Sequence, residues 1–141
     1  MVRHAESEFN KYVHIPSAFL EEPLRSNLHH NTKLIDCSLS KEGFLQAQRT
    51  ILPLSYLQTN RKVDILFVSP LTRALETAEL LIKTNRLEVK YVIVLPELTE
   101  VLSKICDFSS PIEEKRRRFR TFDFSEMDRF LQEKPGQLRS E

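Results

Sequence analysis

The stretch VDILFVSPLTRALETAELLIK, residues 63–83, predicts a strand, a turn and a helix in direct succession. Residues 63–68 form a nearly continuous apolar and β-branched run, which is typical of a strand buried on both faces of a parallel sheet. Ser69 and Pro70 interrupt that run, and the leucines and alanine that follow recur at helical spacing. The stretch therefore predicts an α/β fold that contains a parallel sheet.

Arg73 falls in the first turn of this predicted helix, just past the carboxyl end of the strand. Ligands of open α/β sheets bind at that edge, and the backbone amides at the start of a helix favour anions. Arg73 is therefore a candidate ligand for an anion. The alternative is an ordinary solvent-facing arginine that pairs with Glu76 one turn further along the helix.

A second stretch, RHAESEFN at residues 3–10, has the composition of a phosphate pocket built around a histidine. The planar guanidinium of Arg3 matches two phosphoryl oxygens at once and keeps its charge. The neutral imidazole of His4 can attack phosphorus and become a phosphohistidine. The amide of Asn10 can donate to a phosphate oxygen. The alternative is a surface histidine among charged neighbours.

Periodicity and capping residues predict the other elements. Ser40 is the expected N-cap of a helix that runs to about Leu57. A strongly β-branched run at residues 89–95 predicts a second strand, and residues 125–132 predict a short helix. Residues 12–33 contain prolines and little periodicity, which indicates an irregular segment.

The composition is that of an ordinary globular domain, with 141 residues, 40% hydrophobic and 29% charged. A formal net charge of +1 argues against general affinity for nucleic acid. Cys37 and Cys106 are far apart in the sequence and lack metal or redox spacing, so we expect a reducing, cytoplasmic compartment. We expect no membrane segment, and the adjacent His29 and His30 lack further ligands at metal-binding spacing.

The run KRRR at residues 115–118, followed by Arg120, is the main charge cluster. It could widen the positive field for a polyanionic substrate or contact an acidic partner. Glu113 and Glu114 precede it, which favours a solvated helix face.

Three motifs, RHAESEFN, SPLTRALETAELL and PELTE, occur in this order and together resemble the histidine phosphatase superfamily with its phosphoglycerate-mutase-like fold. DCSLSKEGFLQAQ at residues 36–48 resembles the family's stretch at the start of its first long helix. ICDFSSP and RTFDFSEMD look like the continuation of the same branch. The resemblance covers most of the chain and implies a three-layer α/β/α sandwich, with residues 1–141 forming a single domain.

The resemblance also implies a role for each matching residue. His4 would be the nucleophile that becomes phosphorylated. Glu100 would be the general acid that protonates the leaving oxygen, with Glu97 as the competing candidate. The phosphoryl oxygens would be bound by Arg3, Asn10 and Arg73. The implied substrates are phosphorylated small molecules or proteins, and no metal or cofactor is implied.

Two parts of the family pattern have no counterpart in this sequence. The family has a second catalytic histidine late in its domain, whereas no histidine follows His30 here. Only Val2 matches the strand that precedes the Arg-His pair. We therefore expect a domain truncated at both ends. The function that we expect from the resemblance is phosphate monoester hydrolysis or phosphoryl transfer through His4, or alternatively that of a catalytically impaired phosphate-binding or interaction module.

Overall fold

The structure, a computed structural model, describes residues 1–13, 32–53, 61–99, 105–107 and 109–133. These residues contain two strands, β1 (Lys62–Val68) and β2 (Glu88–Val94). They also contain five α-helices, α1 (Glu8–Val13), α2 (Lys41–Arg49), α3 (Thr72–Asn85), α4 (Ile112–Arg118) and α5 (Ser125–Glu133). Short 3₁₀ helices lie at Thr32–Leu34, Pro96–Leu98 and Ile105–Asp107. Within this described part of the chain, no helix is both long and apolar enough to cross a membrane.

The two strands are parallel and α3 connects them, which confirms the predicted strand, turn and helix. The register pairs Lys62 with Glu88 at one end and Val68 with Val94 at the other. Arg86 ends α3 in the left-handed conformation, with φ of 50°, and the chain then enters β2. This arrangement places the first turn of α3 at the carboxyl end of β1.

One face of the sheet forms the main hydrophobic core. Val68 and Val94 point into it and are 5% and 0% exposed, respectively. Helices α3 and α5 cover this face together with the segment between α4 and α5, through the side chains Leu75, Ala78, Phe119, Phe122, Phe124 and Met127. Burial of these apolar side chains is the principal force that holds the sheet against its helices.

The other face of the sheet corrects the expectation that β1 is buried on both sides. Ile65 and Phe67 are 46% and 53% exposed, and Tyr91 of β2 is 52% exposed. The register aligns Ile65 with Tyr91, so these side chains project from the same face, away from α3. An apolar run in the sequence indicates a strand, but it does not show whether other described residues bury one face of that strand or both.

Helix α2 begins as predicted and ends earlier than predicted. The hydroxyl of Ser40 accepts a hydrogen bond from the Gly43 amide at 2.9 Å, which confirms the N-cap. The helix ends at Arg49 rather than near residue 57. The side chain of Asn85 donates to the Thr50 carbonyl at 3.0 Å and accepts from the Leu52 amide at 2.7 Å. These tertiary hydrogen bonds hold the backbone after Arg49 in an extended conformation; residues 54–60 lie outside the described part.

Helix α1 begins inside RHAESEFN and was not predicted. The hydroxyl of Ser7 accepts a hydrogen bond from the backbone amide of Asn10 at 3.2 Å and so caps the first turn. The helix includes Tyr12 and Val13, which correct the predicted start of the irregular segment. Residues 14–31 lie outside the described part of the chain.

Candidate functional site

His4 and Arg73 meet in the structure although 69 positions separate them in the sequence. Arg73 lies in the first turn of α3, as predicted, and only 1% of its surface is exposed. Its Nε donates a hydrogen bond to Nε2 of His4 at 3.1 Å. A permanent cation thus contacts the imidazole directly, which excludes the interpretation of Arg73 as a solvent-facing side chain.

Hydrogen bonds at both ring nitrogens of His4 define its tautomer. Nδ1 lies 2.7 Å from the carbonyl oxygen of Ala5. Because a carbonyl oxygen can only accept, Nδ1 carries the proton. Because the guanidinium of Arg73 can only donate, Nε2 carries the lone pair. His4 is therefore neutral in this arrangement, with the lone pair on Nε2.

The guanidinium of Arg73 is held on its far side by the 3₁₀ helix Ile105–Asp107. Nη1 donates to the Cys106 carbonyl at 2.6 Å. Nη2 donates to Oδ1 of Asp107 at 3.1 Å, and the two paired side chains are 2% and 1% exposed. Glu76, the alternative partner considered for Arg73, instead accepts from the Leu39 amide at 2.7 Å and from Arg118.

The segment that carries the histidine is fixed by α2 and α3. The Ala5 amide donates to Oγ1 of Thr77 at 3.1 Å. The Glu6 carbonyl accepts from the Ser40 amide at 2.9 Å, and the Glu6 carboxylate accepts from the Ser40 hydroxyl at 2.5 Å. The Glu6 backbone lies so close to α2 that position 43 requires glycine, because a Cβ there would lie 1.9 Å from the Glu6 carbonyl oxygen.

Asp36 positions the start of α3, whose N-cap residue makes no side-chain capping bond. Its carboxylate accepts from the Thr72 amide at 2.7 Å and from the Thr72 hydroxyl at 3.0 Å. It also accepts from the amide and hydroxyl of Ser110, at 2.8 and 2.6 Å. Asp36 has a positive φ of 46°, a conformation that is sparsely populated for residues other than glycine. The carboxylate thus substitutes for a conventional cap and joins two segments to the helix.

Lys115 completes this cluster, and its position corrects the prediction of a solvated charge run. It is 3% exposed, and its Nζ lies 2.6 Å from Oδ2 of Asp36. The same ammonium donates to the Pro70 carbonyl and to the Ser109 hydroxyl, each at 2.6 Å. Burial lowers the pKa of Lys115 below its usual value, while the nearby Asp36 carboxylate acts in the opposite direction. The first lysine of KRRR is therefore a buried part of the scaffold.

The remaining basic residues of the cluster lie nearer the surface. Arg116 pairs with Asp128 at 2.6 Å, with its side chain 38% exposed, and Arg118 pairs with Glu76. Arg117 and Arg120 are exposed. Arg117 and Arg120 therefore agree with the interpretation of the charge run as a solvated surface.

The two other predicted phosphate ligands are less constrained than Arg73. Arg3 precedes the histidine and its side chain is exposed. Asn10 is half-buried, and its Oδ1 accepts from the hydroxyl and amide of Ser7 at 2.9 and 3.3 Å. Since Oδ1 is used in this way, Nδ2 is the atom of Asn10 that can donate to a phosphate.

The predicted general acid cannot be placed, because Glu100 lies outside the described residues, as do His14, His29 and His30. Its competitor Glu97 is exposed in the 3₁₀ helix Pro96–Leu98. That helix follows the carboxyl end of β2, the same sheet edge at which α3 begins. The described residues contain no group of three or more histidine, cysteine or carboxylate side chains placed to hold a metal ion.

Sequence reasoning missed Asp107 and the buried role of Lys115. The motif ICDFSSP contains Asp107, but nothing in its local pattern indicates which cation the carboxylate meets. Both cysteines, which sequence spacing left unrelated, lie in one buried apolar cluster with Phe9 and Leu34. Burial raises the pKa of the Cys106 thiol to about 12, so this thiol stays protonated at neutral pH.

Comparison with known proteins agrees with the resemblance seen in the sequence. A family model of the histidine phosphatase superfamily (branch 1) matches residues 1–137. The crystal structure of the ecdysone phosphate phosphatase EPPase from Bombix mori in complex with tungstate is similar, with a TM-score of 0.52 and 19% sequence identity. The match covers 87% of this chain and 53% of that one, so this chain spans about half the length of its structural neighbour. A search of curated protein sequences gave no significant match. The structural match confirms the predicted α/β class.

Proposed function

The chain belongs to the histidine phosphatase superfamily, branch 1, and on this premise we propose that it hydrolyses or transfers phosphate monoesters through a phosphohistidine on His4. One observation carries the proposal. Nε2 of His4 holds its lone pair while Nδ1 donates to a backbone carbonyl, and the buried Arg73 guanidinium lies 3.1 Å from that nitrogen. This arrangement places the nucleophilic nitrogen of His4 beside the permanent positive charge of Arg73, which can stabilise the negative oxygens of a bound phosphoryl group.

In the first step, the lone pair of Nε2 attacks phosphorus and a nitrogen–phosphorus bond forms. The bond from phosphorus to the ester oxygen breaks, and its electron pair leaves with that oxygen. Arg73 transfers its Nε–H hydrogen bond from the ring nitrogen to a phosphoryl oxygen, where a charge-assisted bond is stronger. Arg3 and Asn10 contribute further donors. We assign the proton for the leaving oxygen to the carboxyl group of Glu100.

In the second step, water attacks the phosphohistidine and the nitrogen–phosphorus bond breaks. Its electron pair returns to Nε2, and the proton of the water passes to the carboxylate that gave one up in the first step. If an alcohol replaces water, the same step transfers the phosphoryl group to an acceptor. Throughout both steps, the Nδ1 bond to the Ala5 carbonyl keeps the ring oriented.

A second candidate function is phosphate binding without turnover, as a binding or interaction module. It is supported by the buried guanidinium of Arg73 and the exposed side chain of Arg3, which can bind a phosphate without any nucleophilic step. In both functions the ligand is a phosphorylated small molecule or protein. Both need Arg73, but only the enzyme needs Nε2 of His4 as a nucleophile.

The test combines turnover with oxyanion binding. We expect para-nitrophenyl phosphate to be hydrolysed in the presence of a chelator, with turnover lost in His4→Ala. Vanadate, which mimics the pentacoordinate phosphoryl group, should inhibit the wild type and bind Arg73→Ala more weakly. Arg117→Ala is the matched control, because Arg117 is an exposed arginine.

The outcomes separate the two functions. Vanadate binding without turnover would support the binding module. Turnover that persists in His4→Ala would refute the phosphohistidine. Absence of both turnover and binding in the folded wild type would refute both functions.

A further inference from the structure

We propose that Asp107 is a positioning residue for phosphoryl transfer. Its carboxylate fixes the plane of the Arg73 guanidinium so that Nε–H points at the reacting nitrogen of His4. The inference rests on the proposed function, which gives Arg73 its task. Asp107 does not itself contact His4 through any of the hydrogen bonds described above, so its effect passes through the arginine.

The geometry supports this role because each nitrogen of the guanidinium has a different partner. Nε faces His4 at 3.1 Å, Nη1 faces the Cys106 carbonyl at 2.6 Å, and Nη2 faces Asp107 at 3.1 Å. A rigid planar group held at three edges cannot rotate without breaking a bond. Both anchors on the far side come from the turn Ile105–Asp107. That turn therefore sets the direction of Nε–H.

Charge supports the same role. The side chains of Arg73 and Asp107 are 2% and 1% exposed, so the cation is removed from water and needs a counter-charge. The neighbouring buried acids have other partners. The carboxylate of Asp36 pairs with Lys115, and that of Glu76 pairs with Arg118. Among the ion pairs of the described residues, Asp107 is the carboxylate that balances Arg73.

The Cys106 thiol orients the carboxylate in turn. Its Sγ lies 3.5 Å from Oδ1 of Asp107, the same oxygen that accepts from Arg73. The thiol is a donor here because burial raises its pKa to about 12 and keeps its proton in place. Cys106 thus supplies two contacts to the site, one through its carbonyl and one through its thiol.

Loss of the Asp107 carboxylate should slow phosphoryl transfer more than it weakens phosphate binding. The guanidinium would still carry its charge and attract a phosphate, but Nε–H would no longer be fixed beside the reacting atom. A displacement of about 1 Å in a reacting arrangement can cost about 10²-fold in rate. Asp107→Asn keeps the shape and one acceptor while removing the charge, and Asp107→Ala removes both.

The experiment measures the arginine–histidine contact directly by nitrogen-15 NMR. In the wild type, a scalar coupling should be observed across the hydrogen bond from Arg73 Nε to His4 Nε2. We expect the coupling to weaken in Asp107→Asn and to vanish in Asp107→Ala. Asp64→Asn is the matched control, because Asp64 is an exposed aspartate on β1. With para-nitrophenyl phosphate, kcat of Asp107→Asn should fall about 10- to 100-fold, with a much smaller change in KM.

The readouts distinguish this inference from the proposed function. A coupling lost in the Asp107 variants of a chain without turnover would support positioning while the enzyme proposal fails. A coupling and a kcat equal to wild type in both variants, with Arg73→Ala impaired, would overturn the role of Asp107. If Asp107→Ala does not fold, Asp107→Asn decides between the same two results, since it preserves the side-chain volume.

Discussion

Replacing the buried Lys115 by methionine should destabilise the chain by about 3–5 kcal/mol, the usual cost of leaving a buried charge without its partner. The substitution keeps a long apolar side chain in a site that is 3% exposed, so it creates little empty volume. The change therefore isolates the loss of the ammonium group. A loss of this size is a large part of the roughly 5–15 kcal/mol that stabilises a typical domain.

The magnitude follows from what the ammonium leaves behind. The carboxylate of Asp36 stays buried and keeps only its neutral donors on Thr72 and Ser110. The Pro70 carbonyl and the Ser109 hydroxyl each lose a donor that lies 2.6 Å away. A buried polar group left without its partner costs about 1–3 kcal/mol. The neutral donors around the carboxylate limit the total, which keeps the expected loss within the stated range.

Urea unfolding followed by circular dichroism measures the effect. Arg117→Met is the matched control on the same helix, and its exposed position should limit the change to about 0.5 kcal/mol. Combining Lys115→Met with Asp36→Asn removes both charges, so the double variant should lose less than the two single losses added together. A change below about 1 kcal/mol in Lys115→Met would refute the assignment of a buried, structurally required ion pair.

Three further predictions test separate parts of the structure. Gly43→Ala should cost about 1–3 kcal/mol in urea unfolding, since its Cβ would lie 1.9 Å from the Glu6 carbonyl oxygen, and a change near zero would contradict that close approach. Between pH 9 and about 12, the folded chain keeps the Cys106 proton that the unfolded chain loses, so the free energy of unfolding should fall as pH rises. This fall should be smaller in Cys106→Ala, measured by urea titrations at pH 8 and pH 10. Phe124→Ala should cost about 3–5 kcal/mol and Phe67→Thr about 0.5 kcal/mol, because the two side chains are 1% and 53% exposed; equal losses would contradict the one-sided packing of the sheet.

The sequence predicted those parts of the fold that local pattern determines. The apolar run at 63–68, the break at Ser69-Pro70 and the helical spacing that follows are properties of neighbouring residues, and the structure has β1 and α3 there. The same reasoning placed Arg73 at the carboxyl end of β1, because an element boundary fixes where its first turn lies. The N-cap at Ser40 was found for a similar reason, since capping depends on residues three positions apart.

The parts that were missed depend on contacts between distant segments. Pro53 disfavours continuation of α2 locally, but the hydrogen bonds that hold the chain after Arg49 come from the side chain of Asn85 on α3. A run of four basic residues has the composition of a solvated face, and the burial of Lys115 depends on the carboxylate of Asp36, which is distant in the sequence. Asp107 was overlooked because its partner, Arg73, is also distant in the sequence. Local patterns thus predicted β1, β2, α3, α5 and the start of α2 and identified His4 and Arg73 as candidates, but they did not indicate the residues that support these two side chains.

Two ion pairs hold the start of α3, and their charges indicate which residues of the proposed site attract phosphate and which position the reacting groups. The pair of Asp36 with Lys115 fixes the backbone, and the pair of Asp107 with Arg73 fixes the guanidinium. Each pair is neutral overall, so neither adds net positive charge that would draw a phosphate dianion from solution. Arg3, which is exposed, is placed to supply that attraction. We therefore expect Arg3→Ala to act mainly on KM and to reduce its dependence on salt, whereas Arg73→Ala weakens phosphate binding and also lowers kcat. Equal effects of both variants on kcat, with the salt dependence of KM unchanged in Arg3→Ala, would contradict this division.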